Sequence, residues 1–130
     1  MVEVSGRERV MVVEDDPLLS DLVARKFTAE NFDMVYAPSG EDALEKIAHE
    51  EKPRLILLDI RLPGIDGFEV LRQIKANPET ATIPVIVFSN FGEESDLEKA
   101  RELGAERFIV KISLTLDELV AVVKEALAKK

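Results

Sequence analysis

The chain has 130 residues, of which 46% are hydrophobic and 33% charged, and this balance predicts one globular domain rather than a disordered, collagen-like or coiled-coil chain. The absence of cysteine excludes a disulfide scaffold, a thiolate metal site and a cysteine nucleophile, and fits a reducing compartment. The net charge of −9 fits poorly with binding to DNA or to anionic membranes. No apolar run approaches the roughly 20 residues that span a bilayer, and the first residues contain no secretory apolar segment. We therefore expect a cytoplasmic protein that binds neither DNA nor membrane.

Strand and helix patterns alternate along the chain. Strands are predicted at residues 10–13, 34–37, 55–58, 85–88 and 108–110, and helices at about 17–30 and 41–50, from 66 onward, at about 93–103, and from 115 onward. The first, third and fourth strands are continuously apolar, which is typical of strands buried on both faces, whereas the mixed second and fifth runs indicate sheet edges. This order predicts an α/β fold with a five-stranded parallel sheet, helices on both faces and right-handed crossovers.

The first two helices have clear apolar stripes. Asp16 followed by Pro17 predicts the N-cap and the first position of the first helix. The inward face of this helix is predicted to comprise Leu18, Leu19, Leu22, Val23 and Phe27. The inward residues of the second helix are predicted to be Ala43, Leu44, Ile47 and Ala48.

The last three helices carry start and stop signals. Asp66 with Glu69 predicts a variant of the capping box, and Thr115 with Glu118 predicts a complete one. Gly104 is a good residue to end the fourth helix. The inward anchors of the fourth helix are predicted to be Leu97, Ala100 and Leu103. Because this stripe is thin, we expect the fourth helix to be loosely held.

Polar residues follow the predicted strands at the point where each one ends. Glu14 and Asp15 follow the first strand, Asp59 the third, Ser89 the fourth, and Lys111 closes the fifth. Because the carboxyl ends of parallel strands share one edge of the sheet, these side chains are predicted to converge there. Each acid alone also fits a structural or loop role, but three carboxylates at one edge require a cation. Oxygen ligands without His or Cys favour Mg²⁺ or a similar ion.

Four segments, taken together and in order, resemble the receiver domain of response regulators in two-component signalling. They are VVEDDP at 12–17, LLDIRLPGIDG at 57–67, VFS at 87–89 and GAERFIVK at 104–111. The resemblance extends from about residue 8 to 128 and implies a doubly wound sheet with strand order 2-1-3-4-5. We therefore expect residues 1–130 to form one stand-alone receiver domain without a tethered output domain.

The resemblance also implies a phosphoacceptor and a metal site. Asp59 resembles the aspartate that accepts a phosphoryl group from a histidine kinase or a histidine phosphotransfer protein. The implied Mg²⁺ ligands are Glu14, Asp15, Asp59 and the backbone carbonyl of Arg61. Such a protein is not an enzyme beyond assisting its own phosphorylation and dephosphorylation.

Three further residues resemble the part of the family's site that responds to phosphorylation. Ser89 and Lys111 resemble the hydroxyl and the ammonium that bind the phosphoryl group, and Phe108 resembles the aromatic switch residue. From the sequence alone, Phe108 also fits a core ring or a half-buried ring at the sheet edge. The implied output is a switched surface at residues 95–108 that binds a downstream protein, with the chain either monomeric or dimeric on phosphorylation.

The chain departs from the family pattern at two places. Ile112 follows the lysine where the family usually has proline, so we expect a trans peptide and a differently shaped loop. Asn90 and Phe91 follow Ser89 where the family usually has a small residue, and both are predicted to crowd the access to Asp59.

Other functions fit the sequence less well. A haloacid-dehalogenase-like phosphatase also uses an aspartate at a strand end, but it requires a second aspartate two residues later, where this chain has Arg61. A nucleotide-binding protein is disfavoured because no G-x-x-x-x-G-K-[ST] segment occurs. The remaining alternative is a degenerate receiver that binds partners without being phosphorylated.

Overall fold

The computed structural model describes residues 7–90 and 92–129, in which strands and helices alternate as predicted. The strands are β1 (Arg9–Val13), β2 (Asp33–Ala37), β3 (Leu55–Leu58), β4 (Val85–Ser89) and β5 (Arg107–Val110). The helices are α1 (Pro17–Ala29), α2 (Gly40–His49), α3 (Gly67–Ala76), α4 (Glu94–Glu102) and α5 (Leu116–Ala128), with a short 3₁₀ helix at Lys111–Ser113 before α5.

The five strands form one parallel sheet in the order β2-β1-β3-β4-β5, which confirms the predicted topology. The two mixed strands, β2 and β5, lie at the edges, and the continuously apolar strands lie inside. In the register between β1 and β3, Val13 lies opposite Leu58, so both strands end at the same level. The residues that follow them, Glu14 and Asp59, are thereby neighbours.

Two hydrophobic clusters cover opposite faces of the sheet, because successive strand side chains point to opposite sides. On β1, Val10 and Val12 belong to the cluster that also contains residues of α1 and α5. Met11 and Val13 belong to the cluster that contains residues of α2 and α3. The central strands are therefore buried on both faces, as their unbroken apolar runs predict.

The predicted inward face of α1 is wrong at two positions. Leu18 is 69% and Leu22 45% exposed, whereas Val23 and Phe27 are fully buried and Leu19 packs against the same cluster. Positions 19, 23 and 27 repeat every four residues and form one stripe, and residues one position earlier are rotated by about 100° around the helix axis. The predicted N-cap is confirmed, since the Asp16 carboxylate accepts hydrogen bonds from the backbone N–H groups of Leu18 and Leu19.

In α2, the predicted inward residue Ala48 is exposed.

The predictions for the other helix ends are mostly confirmed. Asp66 caps α3 by accepting from the Glu69 N–H, but the Glu69 side chain bonds Arg72 and Gln73 instead of returning to the cap, so that capping box is incomplete. Thr115 and Glu118 form the complete capping box at the start of α5.

Helix α4 is held by few apolar contacts, as its thin stripe predicts. Ala100 is its one fully buried residue, while Leu97 and Leu103 are half-buried, and Glu93 makes no side-chain cap hydrogen bond. Gly104 ends the helix with a φ of 101°, in the region that favours glycine. Ala100 joins a third, small cluster with Ile60, Phe68 and Val87, against which Leu103, Ala105 and Phe108 pack.

Candidate functional site

Two buried carboxylates meet where β1 and β3 end. Glu14 is 3% and Asp59 5% exposed. The pairing of the strands continues beyond their ends, because the Asp59 N–H donates to the Val13 carbonyl at 3.0 Å and the Glu14 N–H donates to the Ala37 carbonyl at 3.1 Å. Backbone hydrogen bonds thus fix the positions from which both carboxylates project.

Asp15 completes a group of three carboxylates. One oxygen from each of Glu14, Asp15 and Asp59 lies within 4.8 Å of the others, and Asp15 is the exposed member. The Glu14 carboxylate also accepts from the Asp16 N–H at 3.0 Å, and Asp59 Oδ1 accepts from the Arg61 N–H at 3.3 Å. An all-oxygen donor set with one open side fits a hard divalent cation such as Mg²⁺.

Lys111 brings a cation to the two buried carboxylates. Its Nζ lies 2.5 Å from Glu14 Oε1 and 3.2 Å from Asp59 Oδ2, and its side chain is 8% exposed. The ammonium also lies 5.6 Å from the centre of the Phe88 ring. A buried ammonium needs an acidic partner, and the structure gives Lys111 two.

Burial and charge oppose each other at this pair. Burial raises the pKa of the Glu14 carboxyl above its usual range, and the hydrogen bond from Lys111 offsets only part of that effect. For Lys111, burial alone would lower the pKa, but the hydrogen bond to Glu14 and the charges of Asp59 and Glu14 outweigh it, so its pKa is raised. Lys111 therefore remains an ammonium at neutral pH and stabilises the carboxylate form of Glu14.

Ser89 and Phe108 occupy different surroundings. Ser89 is fully buried at the end of β4, the strand next to β3, and so lies at the same sheet edge as Asp59. Phe108 lies on β5 in register with Val87, half-buried, and packs against the third cluster rather than among the carboxylates. Of the two locations left open for its ring, the half-buried one at the sheet edge is confirmed.

The loop between Asp59 and α3 is packed too closely for side chains at its glycines. A Cβ on Gly67 would collide with the Asp59 carbonyl oxygen and lie 2.6 Å from Ile60 Cα. Gly64 has a φ of 73°, and a Cβ there would collide with the Glu41 carboxylate, whose Oε2 accepts from the Ile65 N–H. The start of α3 thus presses directly on the backbone of the candidate phosphoacceptor.

The departures from the family pattern have mixed outcomes. Ile112 is 89% exposed in the short 3₁₀ helix, and the described residues contain no cis peptide bond, so the expected trans peptide is confirmed. Asn90 is exposed, and its effect on access to Asp59 stays a prediction. Phe91 lies outside the described residues.

Three contacts near the site had no signal in the sequence. One is the Phe88 ring beneath Lys111, which reads as an ordinary member of an apolar run. The second is an ion pair of 3.8 Å from the Arg61 guanidinium to Asp96 on α4. The third is the Glu41 carboxylate under the loop. Each contact joins residues far apart in the chain, and only an alignment of related sequences could have indicated such a contact before the structure was known.

Comparison with known proteins identifies the family. A family model described as the response regulator receiver domain matches residues 10–124. This chain belongs to the response regulator receiver domain family. As a receiver, it has the sheet order and the five helices that the resemblance implies. Receivers are in general signalling modules rather than enzymes.

Individual relatives agree with that assignment. The phosphate regulon transcriptional regulatory protein PhoB of Rhizobium meliloti (strain 1021) is 35% identical over 121 residues, which is 93% of this receiver and 52% of the relative. The receiver therefore spans about half the length of that relative. The structure of the BeF3-activated N-terminal receiver domain of Klebsiella pneumoniae RstA is 32% identical, with a TM-score of 0.84 over 92% of this receiver and 98% of that chain.

A second similar structure is that of the phosphorylated cyanobacterial phytochrome response regulator RcpA. It is 30% identical, with a TM-score of 0.81 over 93% of this receiver and 91% of that chain. In the part of the receiver that the structure describes, no helix is both long and apolar enough to cross a membrane.

Proposed function

We propose that this receiver accepts a phosphoryl group on Asp59 from a histidine kinase or a histidine phosphotransfer protein, and that the modification switches a protein-binding surface. The observation that carries the proposal is the environment of Asp59: a buried carboxylate at a strand end, in contact with a buried ammonium and beside two further carboxylates. The alternative of a degenerate receiver is not supported, because every residue that the chemistry needs is present.

The chemistry is a transfer between two nucleophiles. A carboxylate oxygen of Asp59 forms a bond to phosphorus, the bond from phosphorus to the donor's imidazole nitrogen breaks, and that nitrogen keeps the electron pair and takes up a proton. Because a carboxylate is a weak nucleophile, the protein contributes mainly position and charge neutralisation. Lys111 supplies a fixed positive charge, and Ser89 supplies a buried hydroxyl at the same edge.

The residues proposed to hold Mg²⁺ are Glu14, Asp15, Asp59 and the backbone carbonyl of Arg61. The clustered carboxylate oxygens are the donor type that this ion prefers, and the exposed side of the cluster at Asp15 leaves room for water ligands. When bound, the ion supplies charge that neutralises phosphoryl oxygens during transfer.

The proposed switched surface is the segment of residues 95–108, which runs through α4 into β5. Ile60, directly after Asp59, belongs to the same small cluster as Ala100, and Phe108 packs against that cluster. A groove of about 240 Å³ lies between α4 and β5 beside Phe108. A change at Asp59 therefore has a short packed route to this surface, which we propose binds a downstream protein.

The remaining parts of the proposal follow from the sequence. We propose a cytoplasmic location, and a monomer that either stays monomeric or dimerises on phosphorylation, which light scattering with and without modification decides. PhoB is by name a transcriptional regulatory protein, so the absence of direct DNA binding by this chain stays a prediction.

The decisive experiment is labelling with acetyl phosphate and Mg²⁺, read by intact mass and by mapping of the modified peptide. The parent is expected to gain one phosphoryl group on Asp59, and the gain should disappear with chelator. Asp59→Asn should not be labelled. Asp66→Asn is the matched control, because it removes a carboxylate from the same loop while asparagine still caps α3. Labelling of Asp59→Asn, or loss of labelling in Asp66→Asn, would overturn the assignment.

A further inference from the structure

A second set of charged contacts joins the loop after Asp59 to helix α4. The Arg61 guanidinium lies 3.8 Å from Asp96 Oδ2, with the arginine side chain 59% and the aspartate side chain 17% exposed. Within the described part of the chain, this Asp96 oxygen is buried and has no hydrogen-bond partner. The guanidinium is thus the cation that faces a carboxylate oxygen which otherwise lacks compensation.

A neighbouring contact ties the same two elements together. Lys99, one helical turn after Asp96 and on the same face of α4, places its Nζ 4.6 Å from the centre of the Phe68 ring at the start of α3. Because α4 has one fully buried residue and no side-chain cap, such polar contacts carry an unusual share of its attachment. Both are anchored in the segment that follows Asp59.

Arg61 is placed to serve two anions. Its backbone N–H donates to Asp59 Oδ1 at 3.3 Å, so its long side chain starts beside the candidate phosphoacceptor and reaches away from it to Asp96. A cavity of about 440 Å³ borders Arg61, Phe68 and Asp96. The guanidinium therefore borders open space, and the arginine side chain is 59% exposed.

We propose that Asp96 and a phosphoryl group on Asp59 compete for the Arg61 guanidinium, so that the Arg61–Asp96 pair restrains α4 until the modification releases it. The release step rests on the proposed function, whereas the restraint is a property of the unmodified protein. The side chains of Arg61 and Asp96 are positioning groups in this proposal, since neither side chain takes part in the transfer itself.

The balance of charges favours exchange of partners. An ion pair of this length with a largely exposed arginine is weak, whereas a phosphoryl group brings a charge of about −1.5 to −2 and oxygens that match the two-pronged guanidinium. Once Arg61 turns away, the Asp96 oxygen loses its cation, and the carboxylate then favours exposure to water. The first turn of α4 is expected to loosen as a result.

The test measures amide hydrogen exchange of α4 in Asp96→Asn and in a matched control. Glu94→Gln also removes an acid from the first turn of α4, but from an exposed position. The control therefore reproduces the loss of favourable interaction with the helix dipole without touching Arg61. In the unmodified state, exchange in α4 should rise about two- to fivefold more in Asp96→Asn than in Glu94→Gln, the range expected for one partly exposed ion pair.

Arg61→Gln tests the same restraint from the other side, because the substitution leaves α4 itself unchanged. It should raise exchange in α4 to the level of Asp96→Asn, and the double variant should show no further rise. After labelling with acetyl phosphate, confirmed by mass, exchange in α4 should rise in the parent and little further in Asp96→Asn.

The outcomes separate this proposal from the proposed function. Equal exchange in Asp96→Asn and Glu94→Gln, or additive effects of the two single variants, would refute the restraint whatever happens at Asp59. Failure to label the parent would refute the phosphoacceptor assignment and the release step, while the comparison of unmodified variants would still decide the restraint. If labelling raises amide exchange in α4 of Asp96→Asn as much as it does in the parent, the Arg61–Asp96 pair is not the contact that the modification releases.

Discussion

Replacing Lys111 by methionine isolates the electrostatics of the site. The substitution keeps an unbranched stem of similar length and removes the ammonium that contacts both Glu14 and Asp59. Both acids are at most 5% exposed, and the lysine side chain is 8% exposed, so water screens the pair only weakly. Removing one partner of a buried ion pair typically costs about 3–5 kcal/mol, because the other charge is left uncompensated.

The expected loss for Lys111→Met lies at the lower end of that range, at about 3 kcal/mol at pH 7 in chelator. The reason is that Glu14 can lose its charge by taking up a proton. Its pKa is already raised by burial, and without Lys111 it rises further, so protonation limits the penalty. The loss should therefore shrink when the same measurement is made at mildly acidic pH.

Urea unfolding of four proteins gives the measurement: parent, Lys111→Met, Glu14→Gln and the double variant. The double variant should be more stable than the sum of the single effects by about 2 kcal/mol, since a neutral glutamine side chain in place of Glu14 no longer needs the ammonium. Lys124→Met is the control, because it breaks an exposed ion pair with Glu30 of 3.2 Å and should cost less than about 1 kcal/mol.

Magnesium extends the same test. A divalent cation bound to the folded state should restore more stability to Lys111→Met than it adds to the parent, because it compensates the same carboxylates. A stability of Lys111→Met within about 1 kcal/mol of the parent in chelator, the size of an exposed pair, would refute this electrostatic role, as would simple addition of the effects of the two single variants.

Three further predictions concern single residues. Burial raises the pKa of Glu14 above 4.5, so the folded parent is stabilised at low pH, where Glu14 is protonated, and loses that stabilisation as the pH rises through the raised pKa. In urea unfolding with chelator, Glu14→Gln should therefore gain stability relative to the parent between pH 4.5 and 7. A constant difference in the free energy of unfolding would contradict this. Asp15→Asn should change the free energy of unfolding in chelator by less than about 0.5 kcal/mol, since Asp15 is exposed. The same substitution should reduce the rise in melting temperature that Mg²⁺ causes. An unchanged rise would exclude Asp15 as a metal ligand. Phe108→Ala should lower the free energy of unfolding by about 2 kcal/mol, which is less than the loss for a fully buried ring. Asp59 should still be labelled, but the amide shifts in α4 that accompany labelling should be smaller. Amide shifts equal to those of the parent would rule out a switch role for Phe108.

The position of the acidic site follows from the sequence because strand ends are local features. The unbroken apolar runs mark β1 and β3 as inner strands, and inner parallel strands end together, so the acids after them must meet. The capping residues of α1 and α5 are local in the same sense, since a cap bonds N–H groups two or three positions away.

Side-chain environments follow less well, because they depend on which elements pack around them. Leu18 and Leu22 fit the period of an apolar face, but the stripe that meets the sheet is one position later. The predicted crowding of the three acids is confirmed, since one oxygen from each lies within 4.8 Å of the others, but the sequence does not show that Glu14 and Asp59 are buried while Asp15 is exposed. The Arg61–Asp96 pair spans two elements whose distance no local pattern encodes.

The packing of the loop after Asp59 gives the proposed change at that carboxylate a route to helix α4. Gly67 has no side chain, so the start of α3 rests on the backbone of Asp59 and Ile60, and the Gly67 N–H donates to the Ile60 carbonyl at 2.8 Å. The next residue, Phe68, shares a cluster with Ala100 of α4. A shift of the Asp59 backbone must therefore move the start of α3 or strain that contact, and in either case the weakly anchored α4 is the element that can yield.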